Sequence, residues 1–150
     1  MNHWLFKSEP EEFSIDDLKR VRKEPWTGVR NYQARNFMRD QMRVGDLGFF
    51  YHSNCPVPGI VGILRIATPA SADRLQFVPD SDYFDPTSDP ANPRWACVDV
   101  AFERKLARTI TLDELKARDD LGDFALTRRG NRLSILPVTT AQWSTILNLE

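Results

Sequence analysis

The sequence predicts an α+β fold: a mixed, barrel-like β-sheet with short flanking helices. Three observations predict it. Apolar runs of strand length recur at 3–7, 47–53, 60–67 and 95–102. Helix-start signals at Ser14, Thr111 and Thr139 each introduce only a short helix. The spacing lacks the regular strand–helix–strand alternation of a doubly wound fold. At 150 residues the chain reads as one domain large enough to bury a core.

Residues 3–7 form the first strand. Ser14 caps a helix reaching about Val21, with Asp17 in the capping-box position. Pro25-Trp26-Thr27-Gly28 breaks the pattern. A second helix starts near Asn31 and ends before Val44. Its residues Ala34, Phe37, Met38 and Met42 fall on one stripe, and Asn31 and Arg35 share the bordering face. A turn at Val44–Leu47 leads into the strand at 47–53. The loop Asn54–Gly59 leads to a return strand at 60–67, where Gly62 marks a bulge or a close backbone approach. Residues 69–94, rich in Pro, Asp and Ser, form a loop or flap too long to be a plain connection. Trp95 to Phe102 alternates as a strand. Thr111-Leu-Asp-Glu114 is a capping box for a helix to about Lys116. A short strand covers 132–136, and Thr139 with Gln142 caps a last helix ending near Leu147. Trp4, Trp95 and Trp143 lie in apolar patterns and belong to the core.

The hydrophobic fraction of 41% fits an ordinary water-soluble globule. Cys55 and Cys97 make neither a disulfide framework nor a zinc site, and they fit a reducing compartment. Residues 1–8 carry no basic start and no long apolar run. Neither a signal peptide nor a membrane span is expected, which implies a cytoplasmic location. A net charge of −1 excludes general coating of polyanions. The charge is uneven, however. Residues 19–43 carry Lys19, Arg20, Arg22, Lys23, Arg30, Arg35, Arg39 and Arg43 against Glu24 and Asp40. Residues 71–93 carry Asp73, Asp80, Asp82, Asp85 and Asp89 against Arg74. Such a basic patch either meets a few phosphates or is solvated surface.

The stretch from Trp26 to Ser53 carries most of the chemistry. Aromatic faces alternate there with Arg, Asn, His and Ser, the groups that stack on a planar ring and hydrogen-bond its edge. No phosphate-cradling Gly motif, dinucleotide fingerprint or metal spacing occurs. The segment therefore favours a recognition pocket over a reaction centre, and no cofactor is implied.

Four separated motifs resemble the EVE domain family. They are Trp4-Leu-Phe-Lys-Ser-Glu-Pro10, Trp26-Thr-Gly-Val-Arg-Asn-Tyr-Gln-Ala-Arg-Asn36, Tyr51-His-Ser53 and Arg132-Leu-Ser-Ile-Leu-Pro-Val138. The resemblance spans essentially the whole chain. It implies a PUA-like pseudobarrel related to the YTH and ASCH domains, as in small stand-alone bacterial proteins. It also implies non-catalytic binding of a modified base, in DNA or RNA, in an aromatic-walled pocket.

On that reading the pocket opens between the end of the first strand, the Trp26 turn and the strand end at Tyr51–Ser53. Trp26 is a stacking wall or a core anchor. Lys7, Ser8 and Glu9 end the first strand and either read a base edge or form a solvated loop. Asn31 is a base reader or a helix cap. Arg35 is a phosphate or base clamp, or an internal ion pair. Tyr51 and Ser53 share a strand face toward the pocket, with His52 opposite if the strand is regular. Arg132 and Ser134 share one side of their short strand, and Arg128-Arg129-Gly130 is a phosphate contact or a charged turn. Two other functions stay open. One is a small hydrolase or nuclease acting on modified nucleotides through Tyr51, His52, Lys7 and Glu9. The other is a sensor of a small aromatic ligand.

Overall fold

The computed structural model describes residues 1–150. Eight strands occur in chain order: β1 (His3–Ser8), β2 (Lys23–Pro25), β3 (Leu47–His52), β4 (Gly59–Ile66), β5 (Ser71–Ala72), β6 (Ala96–Cys97), β7 (Asp99–Thr111) and β8 (Ile135–Val138). Six of them form one curled mixed sheet in the order β2-β7-β4-β3-β1-β8, and β5 and β6 make a separate ribbon. Only β1 and β3 run parallel; all other neighbours are antiparallel. The helices are α1 (Ile15–Val21), α2 (Tyr32–Asn36), α3 (Leu112–Lys116) and α4 (Thr140–Leu147). The α+β class expected from the sequence is the class observed. No helix is long and apolar enough to cross a membrane.

Local chemistry sets the helix ends. Ser14 Oγ accepts the Asp17 N–H at 3.1 Å, and the Asp17 carboxylate accepts the Ser14 N–H at 2.9 Å. Thr139 and Gln142 repeat this reciprocal box at α4. Each such cap stabilises by about 1 kcal/mol. At α3 the expected box is half made. Thr111 Oγ1 accepts the Glu114 N–H, but the Glu114 carboxylate turns to Arg108 at 2.6 and 2.8 Å. The second helix is not one α-helix to Val44. After Asn36 it widens into a π turn over Phe37–Gln41, where the Met42 N–H reaches back to the Phe37 carbonyl. Phe37 and Met38, adjacent in sequence, are both buried there.

Several strands differ from expectation: β5 lies within the loop expected at 69–94, and the strand expected at 95–102 breaks at Val98 into β6 and β7. β2 is too short to show a period and exists through its pairing with Asp99–Ala101. β7 runs on to Thr111 through its pairing with Gly59–Ile63, and the exposed run Glu103, Arg104 and Lys105 hides the alternation past Phe102. β8 begins only at Ile135. Residues 131–134 form a turn in which Asn131 Oδ1 accepts the Leu133 N–H at 2.9 Å.

The sheet is buried on both faces. Trp4, Phe6, Phe50 and Leu64 pack with α1 and α2 on one side, while Leu5, Phe49, Tyr51 and Ile63 pack toward α3 and α4 on the other. Double-sided burial explains why 47–51 and 60–66 read as near-continuous apolar runs. Gly62 serves close approach. A Cβ there would stand 2.4 Å from Ile15 Cδ1, so the α1 side chain rests on bare backbone. The register slips beside it, with Phe50 opposite Gly62 and Tyr51 opposite Ile60, leaving Val61 as the bulged residue.

Candidate functional site

Because β1 and β3 are parallel, their C-terminal ends lie together, and antiparallel β8 begins beside them. The Ser53 N–H bonds the Ser8 carbonyl at 3.0 Å, and the Lys7 N–H bonds the Ser134 carbonyl at 2.8 Å. The chain leaving β2 joins this corner through the Trp26 N–H, which bonds the Val98 carbonyl at 2.8 Å. A cavity of 480 Å³ opens here, a volume typical of small-molecule pockets. Lys7, Ser8, Glu9, Trp26, Ser53 and Ser134 line it, together with Glu12, Phe13, Glu24, Arg30 and Tyr83.

Trp26 both packs on the core and forms a wall. Its indole meets Phe6, Phe50 and Phe13 edge-on, at ring separations of 5.2, 5.7 and 6.2 Å. Edge contacts of this kind orient an aromatic ring. The turn that follows needs glycine at position 28. Its φ is +87°, and the Tyr83 ring lies 2.9 Å from where a Cβ would be. The Gly28 N–H donates to Asp73 Oδ2 at 2.7 Å, and Arg30 Nη1 donates to the same oxygen at 3.0 Å. Arg30 also donates to the Tyr83 carbonyl, at 2.7 and 3.1 Å. The acidic flap is thus clasped to the basic segment, and part of the charge asymmetry is spent on internal pairing.

The polar groups of the cavity fall into three kinds. Glu9, Glu12 and Glu24 bring carboxylates, which only accept hydrogen bonds; Glu9 already accepts one from Asn54 at 2.8 Å. The Lys7 ammonium only donates, and burial pushes its pKa down. Ser8, Ser53 and Ser134 can do both. The Ser8 hydroxyl donates to the Phe13 carbonyl at 2.6 Å, which leaves its oxygen free to accept. A flat ring lying against Trp26 would have donors and acceptors at its edge.

Five expected site residues lie outside the cavity. Asn31 caps α2, its side-chain oxygen accepting the Ala34 N–H at 3.0 Å. Arg35 lies over the Tyr32 ring and donates to the Arg94 carbonyl and to Asn36. The expected facing of Tyr51 and His52 is reversed. Tyr51 sits in the core on the far face of the sheet, where burial pushes its phenol up to about 12. His52 shares the Phe50 face but turns to α1, its Nε2 accepting the Ile15 N–H at 3.1 Å. Burial lowers the His52 pKa. Arg132 is exposed and precedes β8, so it shares no strand face with Ser134. Phe13, Arg30, Asp73 and Tyr83 were not singled out from sequence. Opposed charge in the two segments was the one signal that pointed to the Arg30–Asp73 pair.

Comparison with known proteins adds a family. A model of the EVE domain matches residues 2–149. Human thymocyte nuclear protein 1 is 44% identical over 168 residues, covering 99% of this chain and 74% of that protein. A crystal structure of the human THYN1 protein in complex with 5-methylcytosine-containing DNA superposes with a TM-score of 0.94 at 43% identity, covering 99% of this chain and 97% of that one. A YTH domain complexed with RNA superposes with a TM-score of 0.54 at 6% identity, covering 99% of this chain and 76% of that one, a likeness of fold alone.

Proposed function

Because this chain belongs to the EVE domain family, we propose that it is a non-catalytic module that binds a modified nucleobase in DNA or RNA. The base lies against Trp26, and Lys7, Ser8, Glu9, Ser53 and Ser134 read its edge. One observation carries this reading: four separate stretches of chain bring those six residues to a single cavity of 480 Å³. The relative bound to 5-methylcytosine-containing DNA supports it. Hydrolysis has less support, since the four groups it would use do not converge. Tyr51 faces the opposite side of the sheet, and His52 is committed to the Ile15 N–H. Cys55 and Cys97 are both free thiols, which supports a cytoplasmic location.

The test is a titration of the purified chain with strands carrying 5-methylcytosine or other modified bases, with unmodified strands as controls. Tighter binding of at least one modified strand, with the strand recovered unchanged, is the expected result. Equal affinity for every strand would overturn base recognition. A cleaved strand or converted base would overturn the non-catalytic assignment. Tight binding of a free aromatic ligand, with no gain when it is carried on a strand, would favour a small-molecule sensor.

A further inference from the structure

A second cavity, of 450 Å³, lies beside the first, and its walls carry Tyr32, Arg35, Arg39, Asp89 and Arg94. One indole separates the two. The guanidinium of Arg30, in the first cavity, stands 5.3 Å from the centroid of the Trp95 ring. That of Arg35, in the second, stands 6.0 Å from the same centroid, and Tyr32 stacks on the indole at 4.9 Å.

The two cavities differ in the sign of their charge. The first holds three carboxylates against Lys7 and an Arg30 already paired with Asp73. The second holds three guanidinium groups against the single carboxylate of Asp89. Asp89 is partly spent in its own turn, accepting the Ala91 N–H at 2.9 Å. Arg39 pairs with its neighbour Asp40. Arg35 has no directly bonded carboxylate: its hydrogen bonds go only to the Arg94 carbonyl and the Asn36 amide oxygen, both neutral, and the Asp40 carboxylate acts on it only at longer range. Arg94 stands 3.8 Å from Asp85, too far for a hydrogen bond.

Guanidinium forks suit phosphate oxygens. Carboxylates repel a phosphate from the first cavity, and the second attracts it. We propose that the Arg35–Arg94 groove holds the phosphodiester backbone of a nucleic-acid strand, adjacent to the base in the Trp26 cavity. The inference rests on the base-binding reading for its ligand, yet the backbone contact itself needs no particular base.

Three ligands separate the two ideas: a single strand with one modified base, the same strand unmodified, and the free modified nucleoside. Each is titrated across a salt series against the unsubstituted protein, Arg35→Gln and Arg94→Gln. Arg94→Gln keeps the experiment decisive should Arg35→Gln fail to fold, because the Arg94 side chain is 39% exposed and makes no hydrogen bond. Both variants are expected to weaken both strands by the same factor. Each should make the salt slope shallower by about 0.7 for every phosphate no longer held. Nucleoside affinity should not change. Strand affinity and slope unchanged in both variants would overturn the proposal. So would a parallel loss of nucleoside binding, which would make the groove a mere support for the pocket. If the modified strand shows no advantage while the unmodified strand still loses slope in Arg94→Gln, base recognition fails and the groove stands. Absence of binding to any strand would overturn both.

Discussion

Asp73 Oδ2 accepts the Gly28 N–H at 2.7 Å and Arg30 Nη1 at 3.0 Å, joining the flap to the Trp26 turn at one buried oxygen. The other oxygen, Oδ1, accepts the Leu75 N–H at 2.8 Å. Asp73→Asn keeps the size but turns an NH₂ group toward one of these donors and strips Arg30 of its counter-ion. Breaking a buried pair costs about 3–5 kcal/mol. Arg30 is 21% exposed, so the lower end is expected. Urea unfolding measures this, and base affinity should fall with it. A loss of well under about 1 kcal/mol would mean that water satisfies Arg30 at little cost.

Trp26→Ala should weaken binding of the modified base by about 1–3 kcal/mol, roughly five- to 150-fold. The melting temperature should fall as well, because the indole packs on Phe6, Phe13 and Phe50. The chain should still fold, since Phe6 and Phe50 also pack in a cluster with Ile15, Leu18, Met38 and Leu64. Titration and a thermal melt of the same variant check both points. An unfolded variant would make Trp26 a core anchor only.

Tyr51→Phe should leave base affinity unchanged, because the ring faces away from the cavity. In the unsubstituted protein, one of the three tyrosines should ionise late, near the pKa of about 12 that burial imposes on Tyr51. An ultraviolet pH titration of protein and variant reads this directly. An order-of-magnitude loss of affinity in the variant would return Tyr51 to the site.

His52 carries a pH dependence. Burial depresses its folded pKa below the ordinary 6.5, against a smaller opposing pull from Asp16. Well above 6.5 this histidine is neutral in both folded and unfolded forms and adds no pH dependence. As pH falls through 6.5 the unfolded chain binds the proton first, so stability is lost. His3 shifts in the same direction, also by burial, and contributes with the same sign. His52→Gln keeps an acceptor for the Ile15 N–H without titrating. Stability of the unsubstituted protein should therefore fall more steeply than that of His52→Gln between about pH 7 and pH 5. Parallel curves from chemical unfolding would contradict the assignment.

Gly62→Ala should cost about 1–3 kcal/mol by overpacking against Ile15. Ile15→Ala removes the atoms that clash. The double variant should then lose less than the two single losses together, which unfolding midpoints will show. Strict additivity would move the strain elsewhere, to the Arg104 carbonyl that also lies close.

Legibility from sequence followed the range of the forces involved. The capping boxes at Ser14 and Thr139 were readable because both partners sit three residues apart. The half-made box at Thr111 was not, because Arg108 competes for Glu114 from another element. The corner holding Lys7, Ser8, Glu9, Trp26 and Ser53 was readable because aromatic and hydrogen-bonding side chains cluster in short motifs. The facing of Tyr51 and His52 was not. Both sheet faces are buried, so the apolar pattern of 47–51 assigns neither side to the pocket. Asn31 and Arg35 sit in the right motif but serve helix α2 and the neighbouring groove.

The parallel pairing of β1 with β3 governs the order in which the molecule can assemble. Parallel neighbours cannot be joined by a tight turn, so residues 9–46 must be looped out before Phe6 meets Phe50. Contacts between such distant residues meet the entropy of loop closure before any stabilisation, and they form slowly. The cavity takes Lys7, Trp26, Ser53, Tyr83 and Ser134 from across the chain. During synthesis the cavity therefore stays incomplete until Ser134 has been made. A ligand of the finished cavity meets only the completed molecule, and it raises the stability of that state alone by mass action.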